Sequence, residues 1–249
     1  MNDLHRETVF GLPFISSNLQ ESGEHLAQGA TSLTQPQLIA HADVHVLTRA
    51  LHDENGYGAG LRRFHYICPD GMPIVWMLRK KRAESSRLYG PDMMEQMWDC
   101  GRAHGVKHFL LGGSEKAQAL LQQNLGARFE GVQIVGAYSP PMGEWPADEH
   151  QRIVQMIAES GANCVWVGLG CPKQERWLYE HLEILPPALY FAVGAAFNFH
   201  AGLVDQAPAW IRAHGFEWLY RLLKEPRRLF KRYLVHNSLF LWYYISRKH

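Results

Sequence analysis

Cysteine is scarce in this sequence of 249 residues: Cys68, Cys100, Cys164 and Cys171 stand far apart, with no CxxC pair. That argues against a disulfide scaffold or a zinc ribbon and fits a reducing compartment. Net charge is also small, formally +1, so no overall basic field marks a nucleic-acid binder. No apolar run reaches the roughly 20 residues of a membrane-spanning helix. The opening MNDLHRETVF lacks the apolar stretch of a signal peptide, so none is expected. The 14 histidines contain no HExxH; His41 and His45, four apart, could share a helical face but lack a supporting carboxylate. Two glycine fingerprints are missing as well. Gly168 and Gly170 have no third glycine at the dinucleotide-binding offset, and no GK[ST] of a P-loop follows.

What is present is an ordinary globular balance, 47% hydrophobic and 20% charged, which excludes a wholly disordered chain. From about residue 105 short apolar runs alternate with helical patterns. HFLLGG (108–113), VQIVGAY (132–138), NCVWVGLG (163–170) and ALYFAVGAAF (188–197) read as strands. Between them SEKAQALLQQNL, ADEHQRIVQMIAESG and KQERWLYEHL read as helices, the first capped by Ser114 and the second closed by Gly161. This βαβ beat predicts a parallel sheet covered on both faces. Earlier, FHYICPDGMPIVWMLRK holds a strand, a turn and a helix. QPQLIAHADVHVLTRALHDE reads as helical or as strand then helix, and RLYGPDMMEQMWDCGRAHG as a loop and a helix.

Several strand ends carry residues suited to chemistry. Asp70, in a Pro-Asp-Gly turn, is either turn chemistry or a carboxylate at the ligand-binding edge of the sheet, where it could act as a general base. Gly168 and Gly170 would let backbone approach a ligand in front of a helix N-terminus, with Lys173, Gln174 and Glu175 in the first turn. Gly112, Gly113 and Ser114 form a second such turn, which serves equally as a helix N-cap. Asn198 and His200 follow the last strand.

The charge is unevenly spread. Residues 216–249 hold eight Lys/Arg against two Asp/Glu, and nine of the 29 aromatics; the rest of the chain is net −5. On a helical projection Arg221, Lys224, Arg227, Arg228, Lys231 and Arg232 fall on one side, with Leu219, Leu222, Leu223, Leu229, Phe230 and Leu234 opposite. Pro226 must break or restart that helix. Trp242, Tyr243 and Tyr244 follow. The segment reads as a helix packed on a core with a solvated basic face, or as one lying on an anionic membrane. Its basic residues would equally suit a diphosphate.

The segments GLGCPKQERWL, FAVGAAFNFHAG, APAW and GFEWLYRLLKEPRRLFKRYL, in that order, together with an early FGLPF, resemble the WecG/TagA/CpsF glycosyltransferases, also called glycosyltransferase family 26. The resemblance implies a Rossmann-like α/β core at 1–205 and a helical, membrane-associating appendage at 206–249. It implies a bacterial, metal-independent, inverting enzyme that moves a hexose-type sugar from a UDP-sugar to a polyprenyl-diphosphate-linked saccharide. The work would be done at the cytoplasmic face of the inner membrane, in cell-surface or exopolysaccharide synthesis. By the same resemblance Asp70 is the base, and Arg87 and Gln174 are site residues. From the glycine turns and helix N-termini read above, Gly112, Gly113, Ser114, Gly168, Gly170, Lys173, Glu175 and Asn198 are expected on the donor side. Arg221, Arg228, Lys231 and Arg232 approach the acceptor diphosphate or the membrane.

Three positions depart from the family pattern. His41-Ala42-Asp43 replaces an early Thr-x-Asn, Tyr89 replaces the Thr of TGxD, and Asn198 replaces an Asp. The first two point to a donor or acceptor other than that of the N-acetylmannosamine enzymes and add Asp43 as a second catalytic carboxylate. No cofactor, metal or nucleic acid is expected, and a homo-oligomer is left open. The competing readings are a nucleotide-binding oxidoreductase on a Rossmann-like core, which lacks its glycine fingerprint, and a non-catalytic membrane or RNA adaptor, which leaves the Asp70 turn without a purpose.

Overall fold

The computed structural model describes residues 4–246, with the side chains of Ala209, Ala213 and Arg228 outside that description. Its strands are β1 (Arg6–Val9), β2 (Leu12–Ile15), β3 (Gln37–Ala42), β4 (Tyr66–Pro69), β5 (Lys107–Gly112), β6 (Gln133–Tyr138), β7 (Cys164–Gly168) and β8 (Leu189–Ala192). They form one sheet in the order β1-β2-β4-β3-β8-β7-β5-β6. Every described pairing is parallel except the β1–β2 hairpin. Its tight turn sets Phe10 and Gly11 at φ 50° and 78°, the left-handed pair that such two-residue turns need.

Helices α1 (Leu19–Ala30), α2 (Val44–His52), α3 (Tyr57–Leu61), α4 (Met72–Arg79), α5 (Gly90–Cys100), α6 (Glu115–Arg128), α7 (Ala147–Ser160), α8 (Lys173–His181) and α9 (Ala196–His200) accompany the sheet. The chain ends in α10 (Ala209–Ala213), α11 (Glu217–Lys224) and α12 (Pro226–Ser246).

Strand residues alternate between two cores, and both are apolar, which is why these strands read as unbroken hydrophobic runs. Leu38, Ala40, Val165, Val167 and Tyr190 face a core closed by α2, α3, α4, α7 and α8, with Phe240 and Tyr243 of α12. Ile39, Leu110, Trp166, Leu189 and Phe191 face the other, closed by α1, α5, α6 and α9. Trp166 shows how polar atoms survive there. It is fully buried, stacks on Phe191 with centroids 4.4 Å apart, and donates its Nε1–H to His108 Nδ1 at 3.1 Å. Burying such a ring contributes about 2–3 kcal/mol, and the hydrogen bond avoids a desolvation cost of similar size.

The predicted order of strands and helices from residue 105 holds, with one correction. ALYFAVGAAF is a strand only to Ala192: the positive φ of Gly194 turns the chain, and Ala196 and Phe197 begin the short α9. The segment that read either way is strand then helix, so His41 lies on β3 and His45 on α2, and they share no helical face. Pro226 starts a new helix, as its missing N–H requires. No helix among the described residues is long and apolar enough to cross a membrane.

Candidate functional site

The sheet topology fixes where ligands can sit. From β5 the chain leaves through α6 toward β6, and from β7 it leaves through α8 in the opposite direction toward β8, with the two helices on opposite faces. Open α/β sheets bind ligands where such connections diverge, beyond the carboxyl ends of the strands. The loops at that point are Gly112–Ser114 and Gly168–Gly170, facing each other in register.

The glycines there are needed mainly for packing. A Cβ on Gly112 would lie 2.7 Å from the Gly168 backbone, and Cβ atoms on Gly113 and Gly168 would press on Phe197 at 3.0 and 3.2 Å. Gly170 is different: at φ 80° it has open space around its missing Cβ. Ser114 takes the bland role, its Oγ accepting the Ala117 N–H at the start of α6.

Gln174 is buried and ties two loops together. Its Oε1 accepts the N–H of Gly170 at 3.1 Å and of Gly194 at 2.9 Å, while its Nε2 donates to Glu175 Oε1 at 2.9 Å. Glu175 is fully buried, and burial pushes its carboxyl up to about 7. Neither side chain is a solvent-facing ligand group; what they do is hold the Gly170 and Gly194 loops together. Lys173 points elsewhere, donating to the Gly143 carbonyl and lying 3.9 Å over the Trp145 ring. Asn198 is half-buried on α9, where its carbonyl accepts from Leu203 and Val204.

Two carboxylates meet at the other end of the same edge. Asp70 follows β4 and donates its N–H to the Ala42 carbonyl; Asp43 follows β3 and caps α2, its Oδ1 accepting the Val46 N–H at 2.9 Å. His41 fixes this corner by donating Nδ1–H to the Leu88 carbonyl at 2.9 Å. Arg87 then reaches Asp70 twice. Its Nη2 donates to Oδ1 at 2.9 Å, and its Nε donates to the backbone carbonyl. From α11, Glu217 accepts Arg87 Nη1 at 2.6 Å and the Tyr89 O–H at 2.7 Å.

The two carboxyls are driven in opposite directions. Burial raises Asp70, Arg87 pulls it down, and Asp43 and Glu217 push it up again, leaving it at about 7. Burial also works against an ionised Asp43, but the Arg232 guanidinium, His45 and two backbone amides outweigh it and hold it below the usual carboxylate range. Arg232 Nη2 donates to Asp43 Oδ2 at 2.9 Å, so both Asp43 oxygens are engaged. Paired groups whose environments separate them in this way divide the proton-accepting and charge-bearing roles. Asp70 is placed for the first and Asp43 for the second.

These residues form the polar floor of a cavity of about 800 Å³ between the core and the C-terminal helices. Its walls are mostly apolar, including Trp76, Met77, Phe216, Trp218, Phe240 and Leu241. Arg221 lines it too, 5.7 Å over the Phe199 ring.

The predicted basic arc is thus divided. Arg221 and Arg232 turn inward, while Lys231 is exposed and Arg228 has its side chain outside the described residues. The opposite face is not simply packed on the core: Leu229 is buried, but Leu223, Phe230 and Leu234 are 75%, 60% and 58% exposed. Sequence reasoning missed Glu217. The available signal was that it is one of only two acids in a stretch with eight Lys/Arg.

Among the described residues no group of three or more His, Cys, Asp or Glu side chains is arranged to hold a metal ion. A family model described as the glycosyl transferase WecG/TagA/CpsF family matches residues 7–249.

Proposed function

The chain belongs to the WecG/TagA/CpsF glycosyltransferase family, and on that premise we propose that it moves a hexose-type sugar from a UDP-sugar to a polyprenyl-diphosphate-linked saccharide with inversion. The observation that carries this reading is the position of Asp70, a carboxyl ion-paired to Arg87 and raised to about 7 by burial, on the polar floor of a mostly apolar cavity.

In the proposed step an acceptor hydroxyl oxygen attacks the anomeric carbon from the face opposite the leaving group. The bond from that carbon to the UDP oxygen breaks, the electron pair leaves with UDP, and the hydroxyl proton passes to the Asp70 carboxylate. A base matched to the working pH suits that transfer. Neighbouring strands lie about 4.8 Å apart, and β4 stands three strands from β7, so the donor would stretch about 14 Å from the Gly168–Gly170 loop to Asp70. The N-termini of α6 and α8 would face its diphosphate. Arg221 would supply positive charge beside the lipid diphosphate, with Arg232 behind Asp43. This reading requires no metal.

The apolar walls suit the first isoprene units. Exposed Leu223, Phe230 and Leu234, with Arg227 and Lys231 on the same helices, suit an interfacial position on an anionic bilayer at the cytoplasmic face of the inner membrane. In this reading the core (1–205) carries the donor and the C-terminal helices (206–249) carry the lipid side.

The test is an assay of UDP-hexoses against a short-chain prenyl-diphosphate-linked saccharide, with and without EDTA, reading the product's anomeric configuration by NMR. Transfer with inversion that survives EDTA is expected. Retention, a requirement for metal, or no transfer from any UDP-sugar would overturn the proposal.

A further inference from the structure

Glu217 stands at the first position of α11 and is 6% exposed, although the helix around it is largely open to solvent. Both its oxygens are taken, by Arg87 Nη1 and by the Tyr89 hydroxyl. Arg87 is as fully committed. Each of its three nitrogens has a protein acceptor, and its Cζ lies 4.1 Å from the centre of the Tyr89 ring. A guanidinium held in this way is not presenting its fork to a phosphate. Its partners are instead one acid from the strand end and one from the C-terminal helices.

We infer that Glu217 is a positioning residue: docking of α11 onto the core clamps Arg87 between two acids and so completes Asp70 as a proton acceptor. The inference rests on the reading of Asp70 as the base.

The electrostatics follow from the geometry. With Arg87 opposed by Asp70 alone, Asp70 would be an ordinary ion-paired carboxylate, readily ionised and weakly basic. Glu217 shares the guanidinium charge and adds a negative charge of its own. The other groups facing Asp70 are Asp43 at the start of α2 and the Cys68 thiol on β4; Arg232 of α12 compensates Asp43. Burial raises Asp70, and Asp43 and Glu217 both oppose its ionisation. Glu217 therefore adds to the proton affinity that burial and Asp43 already raise, and it does so only while α11 sits on the core. A chain with those helices displaced would hold a weaker base and hydrolyse less donor to water.

The experiment uses the full chain labelled with ¹³C-carboxyl aspartate, and Asp70 is assigned by the signal missing in Asp70→Asn. The wild-type Asp70 signal is expected to titrate near 7. In Glu217→Gln the midpoint should fall by about one to two pH units, as expected for loss of one charge at close range. Glu217→Asp, which keeps the charge one methylene further back, should shift it less. It also keeps the test alive if the glutamine variant does not fold. Turnover of Glu217→Gln at pH 8 should drop about tenfold. A midpoint unmoved in the folded variants overturns the inference. If Asp70→Asn instead transfers sugar at the wild-type rate, the assignment of the base fails, while the titration still decides whether Glu217 acts on Asp70.

Discussion

Arg232 of α12 and Asp43 at the start of α2 are joined by a 2.9 Å ion pair across 189 positions of sequence. The pair holds the long C-terminal helix over the corner where β3 and β4 end. Arg232→Ala should therefore loosen α12 without unfolding the sheet. Turnover is expected to fall at least tenfold, and limited proteolysis should cut ahead of α12 sooner than in the wild type. Equal protection and equal turnover would show that the pair is dispensable.

Asp70→Asn should lose about 10²- to 10⁴-fold in turnover, the usual value of a general base. Its stability should change in a pH-dependent way. The folded protein holds the Asp70 proton more tightly than the unfolded chain, about 7 against about 3.9. The contribution of this group is full below pH about 4 and is lost as pH rises through 7. The variant should gain Tm relative to wild type at pH 8 and lose that gain at pH 4, as read by differential scanning calorimetry.

His41 behaves in the opposite sense. Burial holds it neutral, lowering it from about 6.5 to about 4. Its contribution is full above pH 6.5 and is lost as pH falls toward 4, by up to about 3 kcal/mol. His41→Gln should flatten the acid side of the stability curve between those values. The cost should be about 1 kcal/mol at pH 7 if the bond to the Leu88 carbonyl is not replaced. An unchanged acid limb in the chemical-denaturation series would count against this.

Gln174→Leu should leave the Gly170 and Gly194 N–H groups without their shared acceptor. Each unmet buried donor costs about 1–3 kcal/mol. The variant should melt earlier and, if the Gly168–Gly170 loop holds the nucleotide as proposed, bind UDP more weakly by calorimetry, because that loop loses its tie to the loop after β8. Unaltered UDP affinity would separate that loop from the nucleotide.

Lys231→Glu with Arg227→Glu should reduce recovery with anionic vesicles in flotation assays, by about 1 kcal/mol per cation removed, and high salt should weaken the wild type similarly. Phe230→Ser with Leu234→Ser should reduce binding to neutral vesicles too. Full recovery of both double variants would count against a membrane contact through these helices.

The sheet and its helices were legible because local signals agreed. Ser114 and Gly161 marked helix ends, and the strands buried on both faces read as plain apolar runs. The β1–β2 hairpin was not, because Phe10 occupies a left-handed position that sequence normally reserves for Gly or Asn. At the candidate site, the Pro-Asp-Gly turn that carries Asp70 was legible at the end of a strand, and the resemblance rather than the turn proposed it as the base. The depth of Glu175 and the inward turn of Gln174 were not, because helical periodicity does not say which first-turn residues face a neighbouring loop. Glu217 was hidden for a different reason: its partners Arg87 and Tyr89 lie 130 and 128 residues away, and no local pattern encodes a long-range pair.

The C-terminal helices meet the core through charges of opposite order. An acid on α11 finds a core arginine, and an arginine on α12 finds a core acid. Such a pairing works as a polarity key. A helix pair facing backward would set Glu217 toward Asp43 and Arg232 toward Arg87, like charge against like. Grafting these helices onto another core of the family would therefore succeed only where that core presents the same alternation of sign.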